Sequence, residues 1–178
     1  MGELLPLLIQ GAWVTLQVTF FGSLLAIAAA IPAAVGRMSK FLPVKWFSIA
    51  YIELFRGTSL LVQLFWLFFV LPLPPFNIEM SPYTVAIVGL GLHIGAYGAE
   101  VMRGAISSVA KGQYEASTAL NFSGFKRFRR IILPQALLAA IPPGTNLLIE
   151  LLKNTSLVSL ITLSDLSFLA RQLDQATF

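Results

Sequence analysis

The sequence predicts an all-α fold, a polytopic bundle of transmembrane helices, on three observations. Of 178 residues, 57% are hydrophobic and only 11% are charged, with a mean hydropathy of +0.81. A soluble domain carries about 25% charged residues, so the polar surface here is too small to cover a globule. The charges are also segregated, leaving four stretches close to the roughly 20 residues that cross a bilayer as a helix. Finally, there is no cysteine, which excludes a disulfide scaffold, and the apolar content excludes a disordered chain.

Taken in order, the first stretch, Leu4 to Gly36, holds no charged side chain. No Lys or Arg precedes Arg37, so the basic start of a signal peptide is missing and this is a retained first span. The other charge-free stretches are Gly57 to Ile78, Met80 to Ala99 and Ile131 to Ile149. All are apolar nearly all round, unlike the amphipathic helices of a soluble core. They place spans at about 10–36, 47–71, 82–106 and 135–153.

Basic residues set the orientation. Arg37, Lys40 and Lys45 lie between spans one and two; Arg103, Lys111, Lys126, Arg127, Arg129 and Arg130 lie between spans three and four. The connection between spans two and three carries Glu79 and no base. The two basic segments therefore face the cytoplasm and the N-terminus lies outside. The net charge of +4 is a topology signal, not a nucleic-acid footprint.

The connection between spans three and four is long for so small a protein. Its first part favours helix and ends at Asn121, which tolerates the left-handed backbone of a helix stop. Ser123 caps a second short helix with Phe125, Phe128 and Ile132 on one side, and Pro134 suits the first turn of the fourth span. The prediction is a cytoplasmic helix–turn–helix able to bind a partner.

Within it, Glu115-Ala116-Ser117, Asn121 and Ile131-Ile132-Leu133-Pro134 stand at the spacing Glu-Ala-Ala, three residues, Gly, nine residues, Ile, any residue, Leu, Pro. This pattern resembles the EAA loop of ABC importer permeases, departing from it at Ser117 (Ala in the family) and Asn121 (Gly). Tyr51–Thr58, Ala96–Glu100, Leu133–Ala136 and Leu152–Leu157 are similar to the polar amino acid permease branch, which has Pro in place of Ser59 and Asp in place of Asn154. Phe69–Phe76 and Leu148–Asp165 look like permeases of ectoine and hydroxyectoine importers. The resemblance spans essentially the whole chain. It implies one MetI-like permease domain over 1–178, with an ATPase-coupling segment at 111–134 comprising Gly112, Glu115, Ala116, Ser117, Asn121, Ile131, Leu133 and Pro134. It further implies a multi-pass protein of the bacterial inner membrane, embedded in lipid. Its partners would be a cytoplasmic ABC ATPase dimer, a second permease subunit (a sister or a second copy) and an extracytoplasmic solute-binding protein. The chain has no Gly-rich phosphate loop, so ATP would be bound by the partner and no cofactor is expected here.

Polar residues inside spans are costly, about 2.5–3.5 kcal/mol for a mid-helix charge on insertion scales, and normally face a cavity or bundle interior. Gly89, His93, Tyr97, Glu100 and Gly104 share one face of span three, and Asn146, Glu150 and Asn154 share one face of span four. Pro142 and Pro143 are expected to break span four beside a cavity. His93, Tyr97, Glu100, Asn146, Glu150 and Lys153 are thus candidate pathway residues. Structural alternatives stand beside them: Glu100 can pair with Arg103, and Glu150 with Lys153, at i,i+3. His93 can be a packing residue, and with no cysteine or second histidine it makes no zinc site. Gly91 and Gly95 form a small-xxx-small contact for span packing or for the second permease. Trp66 and the phenylalanines around it face lipid or core, or form a wall for a delocalised cation. For an ectoine-like solute, Glu150 would meet the cation and Lys153 or backbone donors the carboxylate.

The leading function is a permease subunit of an ATP-driven importer for a small polar, amino-acid-like solute; the chain is not an enzyme. The alternative is an ion-coupled carrier or channel with a proton relay through Glu100 and His93. Family members continue into a fifth span, so the chain is expected to be an incomplete copy that stops before it.

Overall fold

The computed structural model describes residues 4–161, which are helical with short connections and contain no strand among the described residues. Helix α1 (Leu4–Arg37) is 34 residues long, about 51 Å at 1.5 Å per residue. Its hydroxyls are absorbed by its own backbone, Thr19 donating to Thr15 O and Ser23 to Thr19 O, each at 2.7 Å. It packs along α4 (Pro82–Ser107), whose start is set by Pro82 and by Ser81 Oγ accepting from Thr84 N. Ala26, Ala30, Ala33 and Ala34 are buried on α1, and Gly91 and Gly95 answer them on α4. A Cβ on Gly91 would lie 2.9 Å from Leu25 Cβ, and one on Gly95 would lie 3.0 Å from Ala29 Cβ. The small-xxx-small pair therefore serves packing within the chain. Contacts advance together along both helices, from Gly22 with Leu90 to Arg37 with Glu100, so α1 and α4 run parallel.

The expected straight span at 47–71 is instead a bent pair. Helix α2 (Leu42–Gly57) and helix α3 (Leu60–Phe65), which continues as a π-helical turn at Trp66–Val70, meet at 105°. Thr58 and Ser59 are extended at the corner. The reason is local hydrogen bonding that competes with the helix ladder: Thr58 Oγ1 donates to Leu54 O (2.7 Å), and Gln63 Nε2 donates to Phe55 O (2.9 Å) and to Thr58 Oγ1 (2.7 Å). The carbonyls orphaned at the end of α2 thus have side-chain donors. Among the described residues three helices are long and apolar enough to cross a membrane, four when the bent pair is one span.

Helix α5 (Lys111–Ala119) stops where Asn121 takes φ 57°, with Phe122 N donating to Ser117 O. Ser123 then caps the short α6 (Gly124–Arg127), which leads through a π turn at Phe128–Ile132 into α7 (Leu133–Asn154). Of the three apolar residues expected on one side here, only Ile132 is buried, while Phe125 is 75% exposed. Helix α7 is not broken at Pro142 and Pro143 but runs through them. Proline's fixed φ is helical, so two lost hydrogen bonds loosen the turn without ending it. A 3-10 turn, Thr155–Ile161, follows.

One core joins α1, α3, α4 and this last turn through Val18, Leu64, Leu90 and Ile161. Another, at the basic end, joins α4 to α7 through Ala105, Ile106, Ile132 and Ala136, with Tyr114 of α5 against it. The outer side of α7, including Leu138 and Ile149, is exposed apolar surface of the kind lipid or a second subunit covers. The expected missing fifth span, and the end of the ectoine-like stretch, lie outside the described residues.

Candidate functional site

Helix α4 turns most of its polar stripe toward the α2–α3 corner of its own chain. Gly89 lies against Leu64, where a Cβ would come within 2.6 Å of Leu64 Cδ2. His93 is buried, its Nδ1 3.1 Å from Gln63 Oε1. Since the Gln63 amide nitrogen is spent on Phe55 O and Thr58, Oε1 is the acceptor and the network assigns the proton to His93 Nδ1. The Tyr97 ring centre is 5.2 Å from that of His93, and the Arg56 guanidinium carbon lies 5.3 Å from the Tyr97 ring centre. Gly104 has nothing near it.

One turn lower, Glu100 sits in a four-charge network. Its Oε2 accepts from Arg103 Nε (3.0 Å) and Nη2 (2.8 Å). Its Oε1 is 3.0 Å from Arg37 Nη1, an ion contact off the hydrogen-bonding axis, and Arg37 also reaches Glu53 Oε1 at 3.3 Å. The carboxylate side chain is 15% exposed and ties the end of α1 to the lower part of α4, and Arg37 extends the network to Glu53 of α2. The i,i+3 pair with Arg103 is present, and Arg37 enlarges it.

The stripe on α7 does not join this cluster. Asn146, Glu150 and Lys153 are exposed and Asn154 is half-buried. Among the described residues no ion pair or hydrogen bond joins the Glu150 and Lys153 side chains, or links either to α4. A crevice of about 400 Å³ does separate α1, α4 and α7, but its walls are apolar, with Ile27, Ile94, Val101, Ile141 and Leu148 among them. Neither Asn146 nor Glu150 lines it. A second crevice, about 350 Å³, fills the inside of the α2–α3 elbow between Phe55, Thr58, Gln63 and Trp66. Phe65 and Phe69 stack outside it at 5.3 Å and are exposed.

The sequence reading missed Arg56, Glu53 and Gln63. Glu53 and Arg56 are exposed one turn apart on α2. That spacing is visible in the sequence, where both stand in the Tyr51–Thr58 stretch, but neither is among the candidate pathway residues.

At the basic end, α5 is held by its inner side and open on its outer side. Ser117 is fully buried, its Oγ donating to Tyr114 O at 2.7 Å, and Tyr114 Oη donates to Ile106 O at 3.4 Å. Arg127 Nη1 donates to Thr118 Oγ1 at 3.1 Å, tying α6 to α5. Ile131 and Leu133 are half-buried under this unit, while Pro134 is exposed. Gly112, Glu115, Ala116 and Asn121 face outward, and Glu115 has no ion-pair partner among the described residues.

Comparison with known proteins gives this arrangement a context. The profile of a family described as binding-protein-dependent transport system inner membrane component matches residues 13–177. A probable amino-acid ABC transporter permease of Sinorhizobium fredii is 51% identical over 168 residues, covering 92% of this chain and 71% of that protein. The L-cystine transport system permease of Bacillus subtilis is 39% identical over 175 residues (96% and 74%), and the glutamine transport system permease of Escherichia coli 35% over 163 (92% and 74%). In structure, a crystallised amino acid ABC transporter with histidines superposes with a TM-score of 0.92 at 33% identity, over 99% of this chain and 82% of that one. The inward-facing MetNI methionine transporter shares the fold, with a TM-score of 0.70 at 22% identity over 88% and 75%.

Proposed function

The chain belongs to the binding-protein-dependent transport system inner membrane component family, and from that premise we propose that it is the permease subunit of an ATP-driven importer for amino acids. It is a multi-pass membrane subunit and not itself an enzyme. The observation that carries the reading is the coupling segment: α5 is tied to α4 and α6, while Glu115 is exposed and has no ion-pair partner among the described residues. An exposed carboxylate on a braced helix suits a docking partner, and the partner that fits is a cytoplasmic ATPase dimer. The basic end would then be cytoplasmic and the N-terminus outside. A second permease subunit, as a sister or a second copy, completes the pathway, and an extracytoplasmic binding protein supplies the solute. The amino-acid class follows from the relatives named above; ectoine and hydroxyectoine are narrower candidates within the same panel.

A proton-relay carrier fits the geometry less well. His93 Nδ1 is committed to Gln63 and Glu100 to two arginines, so no hydrogen bond links the two residues. The test is Glu115→Lys in the assembled transporter. Loss of ATPase co-purification together with uptake is expected; wild-type assembly and transport would sink the coupling role. Titrating amino acids and ectoines against the purified binding protein then reads the solute.

A further inference from the structure

The turn between α1 and α2 and the first turns of α2 carry a basic and aromatic surface that no other described residue covers. Lys40, Phe41, Leu42, Lys45, Trp46 and Phe47 are exposed, Trp46 at 66% and Phe47 at 79%. The level of this surface follows from how α2 meets α1. Val44 and Ser48 both lie against Gly36, where a Cβ would stand 3.3 Å from Val44 Cγ1 and 3.2 Å from Ser48 Cβ, and Ile52 shares one core with Ala33 and Ala34. Over about 12 Å of α2 the contacts thus move by less than one turn of α1, so α2 crosses the end of α1 instead of running back along it. That end, at Arg37, closes the charge-free run that follows Glu3. Helix α1 is about 51 Å long against a hydrocarbon core of about 30 Å, and its charged end stands at headgroup level. Trp46, two residues from both Val44 and Ser48, points away from α1 at this level. Neither Lys40 nor Lys45 enters an ion pair among the described residues, and Glu53, the one acid on α2, is held by Arg37.

We propose that this surface binds an anionic phospholipid in the leaflet where the α1–α2 turn lies, Lys40 and Lys45 meeting the phosphate-bearing head and Phe41, Trp46 and Phe47 the glycerol region and upper acyl chain. Charge complementarity selects this occupant. Each unpaired lysine adjoins an exposed aromatic residue, so its stem lies along apolar surface while its ammonium reaches the headgroups. A tryptophan ring is favoured at the same level, apolar on its body and polar at its N–H. A second copy laid on the same patch would set like charges against each other. The inference needs only a multi-pass membrane protein and stands apart from the importer reading.

The experiment places the full chain in nanodiscs of phosphatidylcholine and phosphatidylglycerol in equal amounts, with Trp13→Phe and Trp66→Phe leaving Trp46 as the sole tryptophan. Brominated acyl chains are carried by one lipid or by the other, and quenching of Trp46 reads which lipid sits beside it. This parent is expected to favour the anionic lipid about fivefold to twenty-five-fold, as each lysine near a membrane surface contributes about fivefold. Lys40→Gln with Lys45→Gln should bring the two lipids to equal quenching, whereas Lys40→Arg with Lys45→Arg keeps the preference. Arg129→Gln with Arg130→Gln, which removes the same charge from exposed residues at the coupling segment, should also keep it. Equal quenching by the two lipids in the parent overturns the proposal, and so does a Trp46 that neither lipid quenches, which would mark a protein interface. Loss of the preference in the arginine pair, a packing effect, or in the Arg129 and Arg130 variant, an effect of net charge alone, overturns it as well.

Discussion

Replacing Gly91 by Ala tests the α1–α4 seam on which the whole bundle is hung. A Cβ at this position would meet three atoms of Leu25, at 2.8 Å (Cδ2) and 2.9 Å (Cβ and Cγ). A clash with a flexible chain end is relieved by a rotamer change, but Leu25 Cβ moves only with the backbone of α1, so the helices must part. Overpacking of this kind costs about 1–3 kcal/mol, and the backbone component puts this case in the upper half. Against it stands the gain of about 1 kcal/mol from replacing Gly by Ala inside a helix. The net expectation is a loss of about 1–2 kcal/mol. Gly104→Ala, further along the same helix with open space around it, is the control: only the propensity gain applies, so stability rises by up to about 1 kcal/mol. Reversible SDS unfolding of the purified chain, followed by tryptophan fluorescence, reads both. Adding Leu25→Ala to Gly91→Ala should cost somewhat less than the two changes summed, because the Cγ and Cδ2 contacts are removed while the Cβ approach at 2.9 Å remains. Two glycine variants moving in the same direction, or strict additivity with Leu25→Ala, would refute the close-approach argument.

Glu100→Gln removes the charge shared by Arg37 and Arg103; because Arg103 is 41% exposed and screened, the loss should be about 1–3 kcal/mol, read as a lower unfolding midpoint that converges with wild type in high salt. Gln63→Leu leaves His93 Nδ1, Phe55 O and the Thr58 hydroxyl without their partners, and a destabilisation of about 1–3 kcal/mol is expected in the same unfolding assay, with Gln63→Asn too short to restore it. Asn121→Gly should be neutral or slightly stabilising at φ 57°, whereas Asn121→Val should cost about 1–2 kcal/mol, seen as earlier proteolytic cleavage between α5 and α6.

The parts of the fold legible in the sequence are those set by neighbours along the chain. Ser81-Pro82 starts α4 because a hydroxyl cap and a proline act within one turn, and Asn121 ends the unit containing α5 because its backbone tolerance is intrinsic. The elbow at Thr58 and Ser59 was hidden for the opposite reason. Neither residue is a strong breaker, and the bend is held by Gln63 reaching back across it. Periodicity also says which residues share a face but not where that face turns. It grouped Gly89, His93, Tyr97, Glu100 and Gly104 on α4, where the first three meet α2–α3, Glu100 meets Arg37 of α1 and Gly104 meets open space, and it grouped Asn146, Glu150 and Asn154 on α7, where the first two are exposed and Asn154 is half-buried. Arg37 meets Glu100 only because α1 and α4 run parallel, and Arg56 meets Tyr97 only because α2 crosses above it. Such partners are fixed by tertiary packing, so no local rule could supply them.

Helix α4 links the coupling segment to the α2–α3 elbow. Tyr114 of α5 bonds the carbonyl of Ile106, in the last turn of α4, while Tyr97 supports Arg56 about 14 Å further up. An α-helix of 26 residues with a buried inner face is stiff over that distance, so a tilt imposed at α5 reaches Tyr97 as a lateral displacement. Glu100 lies between the two points and anchors α4 to α1 through Arg37, which also holds Glu53 of α2, and this makes it the natural pivot. On this reading the ionic network gives α4 a fixed point about which ATPase-driven motion is converted into movement of its inner half, where His93 and Tyr97 lie. Glu100→Gln should then do more than lower stability. In the assembled transporter it should leave ATP hydrolysis running while uptake falls, so that more ATP is consumed per solute moved. A variant that loses both in proportion has only unfolded, and the pivot would have to be abandoned.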